Sequence, residues 1–127
     1  MIHLKNSAQI TAMKDAGRIT GEALLVARDA VRPGVSTYEI DLAIRRYIEK
    51  CGATPTFLGY GGFPASACIS INDEVIHGIP SKSRILREGD IVKIDTGATY
   101  HGYAGDSART IPAGHVSEEA TRLMQVT

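Results

Sequence analysis

In the first fifty residues the apolar positions recur at helical spacing. Asn6-Ser7-Ala8-Gln9 offers an N-cap with a back-bonding Gln, and Ile10, Met13, Gly17, Leu24, Ala27 and Val31 then fall on one helical face. The pattern predicts a first helix of about two dozen residues, stopped at Arg32-Pro33-Gly34 because proline cannot continue the hydrogen-bond ladder. Ser36-Thr37-Tyr38-Glu39 has capping-box spacing, and Ile40, Ile44, Tyr47, Ile48 and Cys51 form a second stripe that ends at Gly52. Both stripes are read as core contacts. Beyond them the period changes. Ser66–Ile71 reads as a strand, Asn72-Asp73-Glu74 as a turn and Val75–Pro80 as a short second arm. Ser81–Asp90 is a charged connection. Strands are predicted from Ile91 to Asp95 and from Thr99 to Ile111, and Ser117-Glu118-Glu119-Ala120 opens a third helix with its acidic residues at the favourable end of the dipole.

The two late strands carry Asp95 and Asp106, eleven positions apart around a turn. With Tyr100 and His101 at the tip of a two-residue loop, Asp95 faces Asp106 directly on one side of the sheet. Like charges so placed repel. A divalent cation reverses the sign of the effect, because converging carboxylates supply the hard oxygen ligands such ions take. The competing reading is that Gly97, Gly102 and Gly105 bulge the ladder, shift the register by one and send the two side chains to opposite faces.

From Ala53 to Pro64 the glycines and prolines exclude regular structure, yet Phe57, Tyr60 and Phe63 are large and apolar. Such a loop either folds down as a lid on the core or lines a pocket for an apolar group. His77 sits between Ile76 and Gly78. A histidine there is ordinarily a satisfied core residue; alternatively Gly78 and Pro80 fix the backbone while the imidazole points into a cleft, able to donate a hydrogen bond or move a proton. His3, His101 and His115 lie near the start, at a turn and in a loop, and carry no comparable weight.

Composition narrows the field. The chain's 127 residues make one domain, with 14 Lys plus Arg against 14 Asp plus Glu, a balance that disfavours nucleic acid or an anionic membrane as partner. Cys51 and Cys68 lie among apolar neighbours without paired spacing and are read as buried thiols in a reducing compartment. With no signal-like pattern and no apolar run long enough to span a bilayer, the expected location is the cytoplasm.

Taken together, FLGYGGFPASACISINDEVIHGIP and LREGDIVKIDTGATYHGYAGDSART resemble the N-terminal half of the type I methionine aminopeptidases, over nearly all of the chain. The motifs that carry the resemblance are the ISIN and HGIP block, the aspartate of ID-T-G and the second aspartate in GDSA. The resemblance implies an α+β fold, half of a pita-bread architecture in which helices pack on a curved antiparallel sheet and two halves are related by pseudo-twofold symmetry. It implies that Asp95 and Asp106 are this half's ligands to two divalent metal ions (Co, Mn, Fe or Zn), which would activate water and polarise a scissile carbonyl. His77 would contact the substrate and steady the charge developing on oxygen. Phe57, Tyr60, Phe63 and Cys68 would form the pocket for the N-terminal methionine of a peptide or nascent chain. Some family members have Cys at the Phe57 position and Tyr at the Phe63 position, so the pocket is expected to be somewhat reshaped.

The family completes its site with a histidine and two glutamates from its second half, and 127 residues end before them. Glu118 and Glu119, at the start of a surface helix, are poor substitutes. The isolated chain is therefore expected to hydrolyse little. Two rival readings stand: a non-catalytic half-fold that hides its open surface in a homodimer, and a relative that has lost peptidase activity and binds partners. The second is disfavoured, since a binding surface has no need of opposed carboxylates.

Overall fold

The structure is a computed structural model and describes residues 2–127. Helix α1 spans Ser7–Ala30, and its capping box is complete: the Gln9 amide donates to Asn6 Oδ1 and the Asn6 amide to Gln9 Oε1, each at 2.9 Å. Helix α2 spans Thr37–Lys50, opened by the reciprocal Ser36 and Glu39 cap and followed by Gly52 at φ +73°, the left-handed turn that glycine accepts.

The sheet is built on one long strand. Strand β3, Ile91–Tyr100, pairs along its whole length with β4, Tyr103–Pro112. Its other edge is shared end to end by β1, Thr54–Pro55, opposite Ala98 and Thr99, and by β2, Ala67–Ile71, opposite Val92 to Thr96. All pairings are antiparallel. Because side chains alternate across a strand, Val92, Ile94 and Ala98 turn inward and pack with Ile69 against Ile19, Ala23, Leu24 and Ala27 of α1 and Ile40, Ile44 and Ile48 of α2. Both helices cover this face. The intervening residues Lys93 and Asp95 point the other way and stay half-exposed.

Contact between α1 and the hairpin is unusually close. A Cβ added at Gly105 would lie 2.6 Å from the Ala16 carbonyl oxygen and from Thr20 Oγ1. Buried Thr20 donates to the Ala16 carbonyl at 3.0 Å and accepts the Ala98 amide at 3.1 Å, so helix and strand are hydrogen-bonded directly. This explains a departure from the predicted stripe. Ile10, Met13 and Gly17 are exposed, whereas Ala16, Ile19, Thr20 and Ala23 face inward with Leu24 and Ala27. Small side chains, Ala16 and Thr20, occupy the point of closest approach to Gly105, with Ile19 and Leu24 packing into the core beside it.

A second departure lies between β2 and β3. Val75–Pro80 forms no strand; the segment makes one ladder-like bond, from the Ile69 amide to the Gly78 carbonyl at 2.8 Å. Asn72 and His77 take φ of +53° and +61°, which breaks an extended path. Helix α3, Glu118–Val126, is capped by Ser117 as expected and buries no residue. No helix among the described residues is long and apolar enough to cross a membrane.

Gly105→Ala should lower the unfolding free energy by about 1–3 kcal/mol, the usual range for a side chain forced into filled space. Gly21→Ala, where a Cβ meets nothing within 4 Å, should instead gain about 0.5–1 kcal/mol from the higher helix propensity of alanine. Urea denaturation of the two variants checks both signs.

Candidate functional site

The hairpin turn sits one residue later than the spacing suggested. Tyr100 pairs with Tyr103, and the loop is His101-Gly102, both at positive φ (+49° and +81°) as a type I′ turn requires. The expected tip at Tyr100-His101 would have forced a tyrosine into that conformation. The partner of Asp95 is consequently Ala108, and that of Asp106 is Gly97. A shift of two in the pairing leaves each side chain on its face, so the aspartates are diagonal neighbours on the same side rather than directly opposed.

They still interact. Asp95 is pushed above the ordinary carboxylate range, first by burial and then by the charge and hydrogen bonding of Asp106, with His77 acting in the opposite direction. Asp95 Oδ1 is buried and has no hydrogen-bond partner. Such an atom is costly unless something binds it. A hard, oxygen-seeking cation between the two carboxylates fits both the orphaned oxygen and the repulsion. Two carboxylates are nevertheless a partial shell: among the described residues, no group of three or more His, Cys, Asp or Glu is placed to hold a metal ion.

All seven residues singled out from the sequence line one cleft of ≈ 640 Å³: Phe57, Tyr60, Phe63, Cys68, His77, Asp95 and Asp106. Cys68 lies opposite Asp95 in the β2–β3 ladder and forms its floor; burial, with smaller contributions from Asp95 and Asp106, pushes its thiol pKa up. Cys68 is thus the buried thiol expected, while Cys51 is only half-buried. The aromatic loop takes the pocket alternative, with Phe57 and Phe63 half-buried and Tyr60 exposed at the rim around a single 3₁₀ turn, Tyr60–Gly62. A Cβ on Gly97 would come within 3.2 Å of the Phe57 ring. Glycine there lets that ring close over the strand beside Asp95. His77 is exposed in the cleft wall and is not the core histidine that its neighbours suggested.

Ile79 also lines the cleft and was not singled out from the sequence. It stands two positions beyond His77 in HGIP, a spacing that would have been informative had the segment been recognised as a wall. Asp41 was missed as well. From the buried face of α2 its Oδ1 accepts the Ser66 and Ala67 amides at 2.8 and 2.9 Å, and so fixes where β2 begins and how deep Cys68 sits.

Over residues 11–127 the sequence matches the model of metallopeptidase family M24. The chain belongs to this family. It is 54% identical over its full length to a methionine aminopeptidase of Clostridium acetobutylicum and 45% identical to methionine aminopeptidase 1 of Bacillus subtilis, covering 51% of each. Among solved structures, the methionine aminopeptidase of Rickettsia prowazekii superposes on the whole chain with a TM-score of 0.97 at 38% identity, again over 51% of that protein. A Bacillus anthracis Xaa-Pro dipeptidase aligns with 94% of the chain at a TM-score of 0.78. The M24 chain described here therefore spans about half the length of the curated relatives it matches. Its α+β architecture is half of the family's pita-bread fold, as the sequence resemblance implied.

Burial pushes the Asp41 carboxyl pKa up despite its two backbone donors. A raised carboxyl pKa means that the folded chain binds the proton more tightly than the unfolded chain, so stability falls as pH rises through the folded value and ionised Asp41 is a net cost at neutral pH. Asp41→Asn keeps the oxygen acceptor without the charge and should match or exceed the parent's melting temperature at pH 7, with a flatter dependence on pH above about 4. Asp41→Ala orphans two buried amides and should lose about 2–4 kcal/mol. Thermal melts of both variants across that pH range provide the check.

Proposed function

We propose that residues 1–127 form a single domain equivalent to the N-terminal half of a methionine aminopeptidase catalytic domain, and that the cleft is this half's share of a dinuclear hydrolase site. The observation carrying the proposal is the buried, partnerless Asp95 Oδ1 beside Asp106, in a cleft that also holds His77. Asp95 and Asp106 are the ligands, and two divalent cations of the Co, Mn, Fe or Zn class would supply water activation and carbonyl polarisation when bound.

The remaining roles belong to this chain's own side chains. Phe57, Tyr60, Phe63 and Cys68 take the unbranched, apolar side chain of an N-terminal methionine and exclude water from it. That orientation brings the following peptide bond to the carboxylate end of the cleft. His77 donates a hydrogen bond to the scissile carbonyl oxygen, a contact that strengthens as negative charge grows there and so favours the transition state over the ground state. The substrate class is a peptide or nascent chain beginning with methionine.

Two carboxylates under-coordinate a metal pair, and Glu118 and Glu119 open a surface helix, so the 127-residue chain alone is proposed to be nearly inactive. A second reading is favoured by the outer edge of β4, which pairs with no other described strand. Such an edge invites another copy, and a homodimer would imitate the two-lobed parent. Light scattering separates the readings, since a monodisperse monomer with a cooperative melt excludes the dimer.

Release of methionine from Met-Ala-Ser with added cobalt or manganese should stay near background; turnover at ordinary enzyme rates, roughly 1 s⁻¹ or faster, would overturn the half-site proposal. Titration calorimetry should detect weak manganese binding that Asp95→Asn abolishes. In metal-free buffer the same substitution should raise stability by a few tenths to about 1 kcal/mol, because it removes a like-charge contact. Unchanged manganese affinity in Asp95→Asn would disprove the ligand assignment.

A further inference from the structure

His77 is carried by a segment that touches the body closely only at Gly78, which lies against the Ile69 and Ser70 backbone. Val75, Ile76 and Ile79 are 80%, 65% and 53% exposed, so no apolar anchor holds residues 74–79 against the body. The backbone of His77 is also in the left-handed region, at a cost that the surroundings must offset. Polar contacts have to hold this stretch: Gly78 bonds to β2 through its carbonyl, which accepts the Ile69 amide, and through its amide, which donates to Ser70 Oγ at 3.0 Å, while one side chain reaches both limbs. The Arg84 guanidinium donates through one nitrogen to the Ile79 carbonyl at 3.1 Å and to the Ile69 carbonyl at 3.3 Å, and through the other to Glu74 Oε2. Glu74 Oε2 in turn accepts the Ile71 amide at 2.8 Å. Arg84 thereby ties together the incoming limb at Glu74, the outgoing limb at Ile79 and the edge of β2 at Ile69.

The base of this clamp is rigid. The Arg84 carbonyl accepts the Thr37 amide at 2.9 Å, which fixes its backbone to the first turn of α2. The Asn72 corner is secured separately, by Asp90 and by the Ile91 amide. Loss of the guanidinium would therefore untie the two limbs from each other and from β2, leaving the Gly78 bonds to Ile69 and Ser70 as the remaining hold on the segment and both of its ends in place. A lysine can meet one of these acceptors but cannot span all three as a planar fork does.

We infer that Arg84 is a positioning residue, holding the imidazole of His77 in the cleft by clamping both limbs of the segment that carries it. The inference deepens the functional reading, in that what Arg84 positions is the group proposed to meet the scissile carbonyl. Its test requires neither metal nor turnover. In Arg84→Met, hydrogen exchange of the Ile69 amide, which bonds to Gly78, should accelerate at least tenfold while amides of the β3–β4 ladder keep their protection. The His77 imidazole resonance should shift or broaden, and Arg84→Lys should restore part of both effects. Unchanged Ile69 exchange and an unchanged His77 resonance in Arg84→Met would overturn the inference, as would full restoration by lysine, which would make the fork irrelevant. If Arg84→Met does not fold, Glu74→Gln, which weakens one limb only, should show the same changes at smaller amplitude, and no change there would be equally decisive. Failure of manganese to bind would count against the functional reading alone and leave these signals unaffected.

Discussion

Two carboxylates on one face of a tight hairpin repel, and the rest of the molecule is arranged so that they stay there. Neither aspartate can move to the other face of the sheet without a change of strand register, because a type I′ turn and ten consecutive pairs lock β3 to β4. Burial of Asp95 sharpens the conflict by removing the water that would otherwise screen it. A sheet selected for stability alone would place a neutral or opposite charge at one of these positions. Retaining both acids makes sense where a cation turns a destabilising pair into a binding site.

The fold supports this pair through a division between faces. One side of the sheet is sealed by α1 and α2, brought close by small residues and by the Thr20 hydroxyl bonded to the Ala98 amide. That side supplies the stability. The opposite side is left open, and its walls are irregular segments: the aromatic loop after β1 and the stretch from Val75 to Ile79 after β2. Loops place functional groups well when a rigid scaffold fixes their ends. Here the ends are fixed by polar contacts from the helical side, with Asp41 reaching the start of β2 and Thr37 holding the backbone of Arg84. Helix α2 therefore governs the cleft without lining it.

Local energetics match this arrangement. The core strands are buried and evenly paired, whereas the His77 segment exposes its apolar side chains and carries a left-handed histidine. Regions of few apolar contacts open most readily. A group proposed to meet a substrate gains from such access, provided a few strong polar contacts keep it aimed. The guanidinium of Arg84 makes those contacts from outside the cleft, which is why nothing about its own neighbourhood in the chain advertises it.

Sequence alone determined the features that depend on local physics. The two capped helices, the stripe of α2, the strand before Asn72, the shared face of Asp95 and Asp106, and the seven residues of the cleft were all legible from capping chemistry, apolar spacing and the motifs of a known family. Local pattern was misleading where distant contacts decide. Where α1 meets the hairpin, Gly105, nearly ninety residues away, is matched by Ala16 and Thr20, while Ile10 and Met13 stay exposed. The arm after Glu74 looked extended, but left-handed residues and a carboxylate–guanidinium clamp turned it into a wall. His77 looked like a core residue among apolar neighbours that themselves proved to be exposed. Burial is a property of the assembled chain: spacing reveals which residues share a face, and only the closing of helices on one side of the sheet decides which face stays open to a ligand.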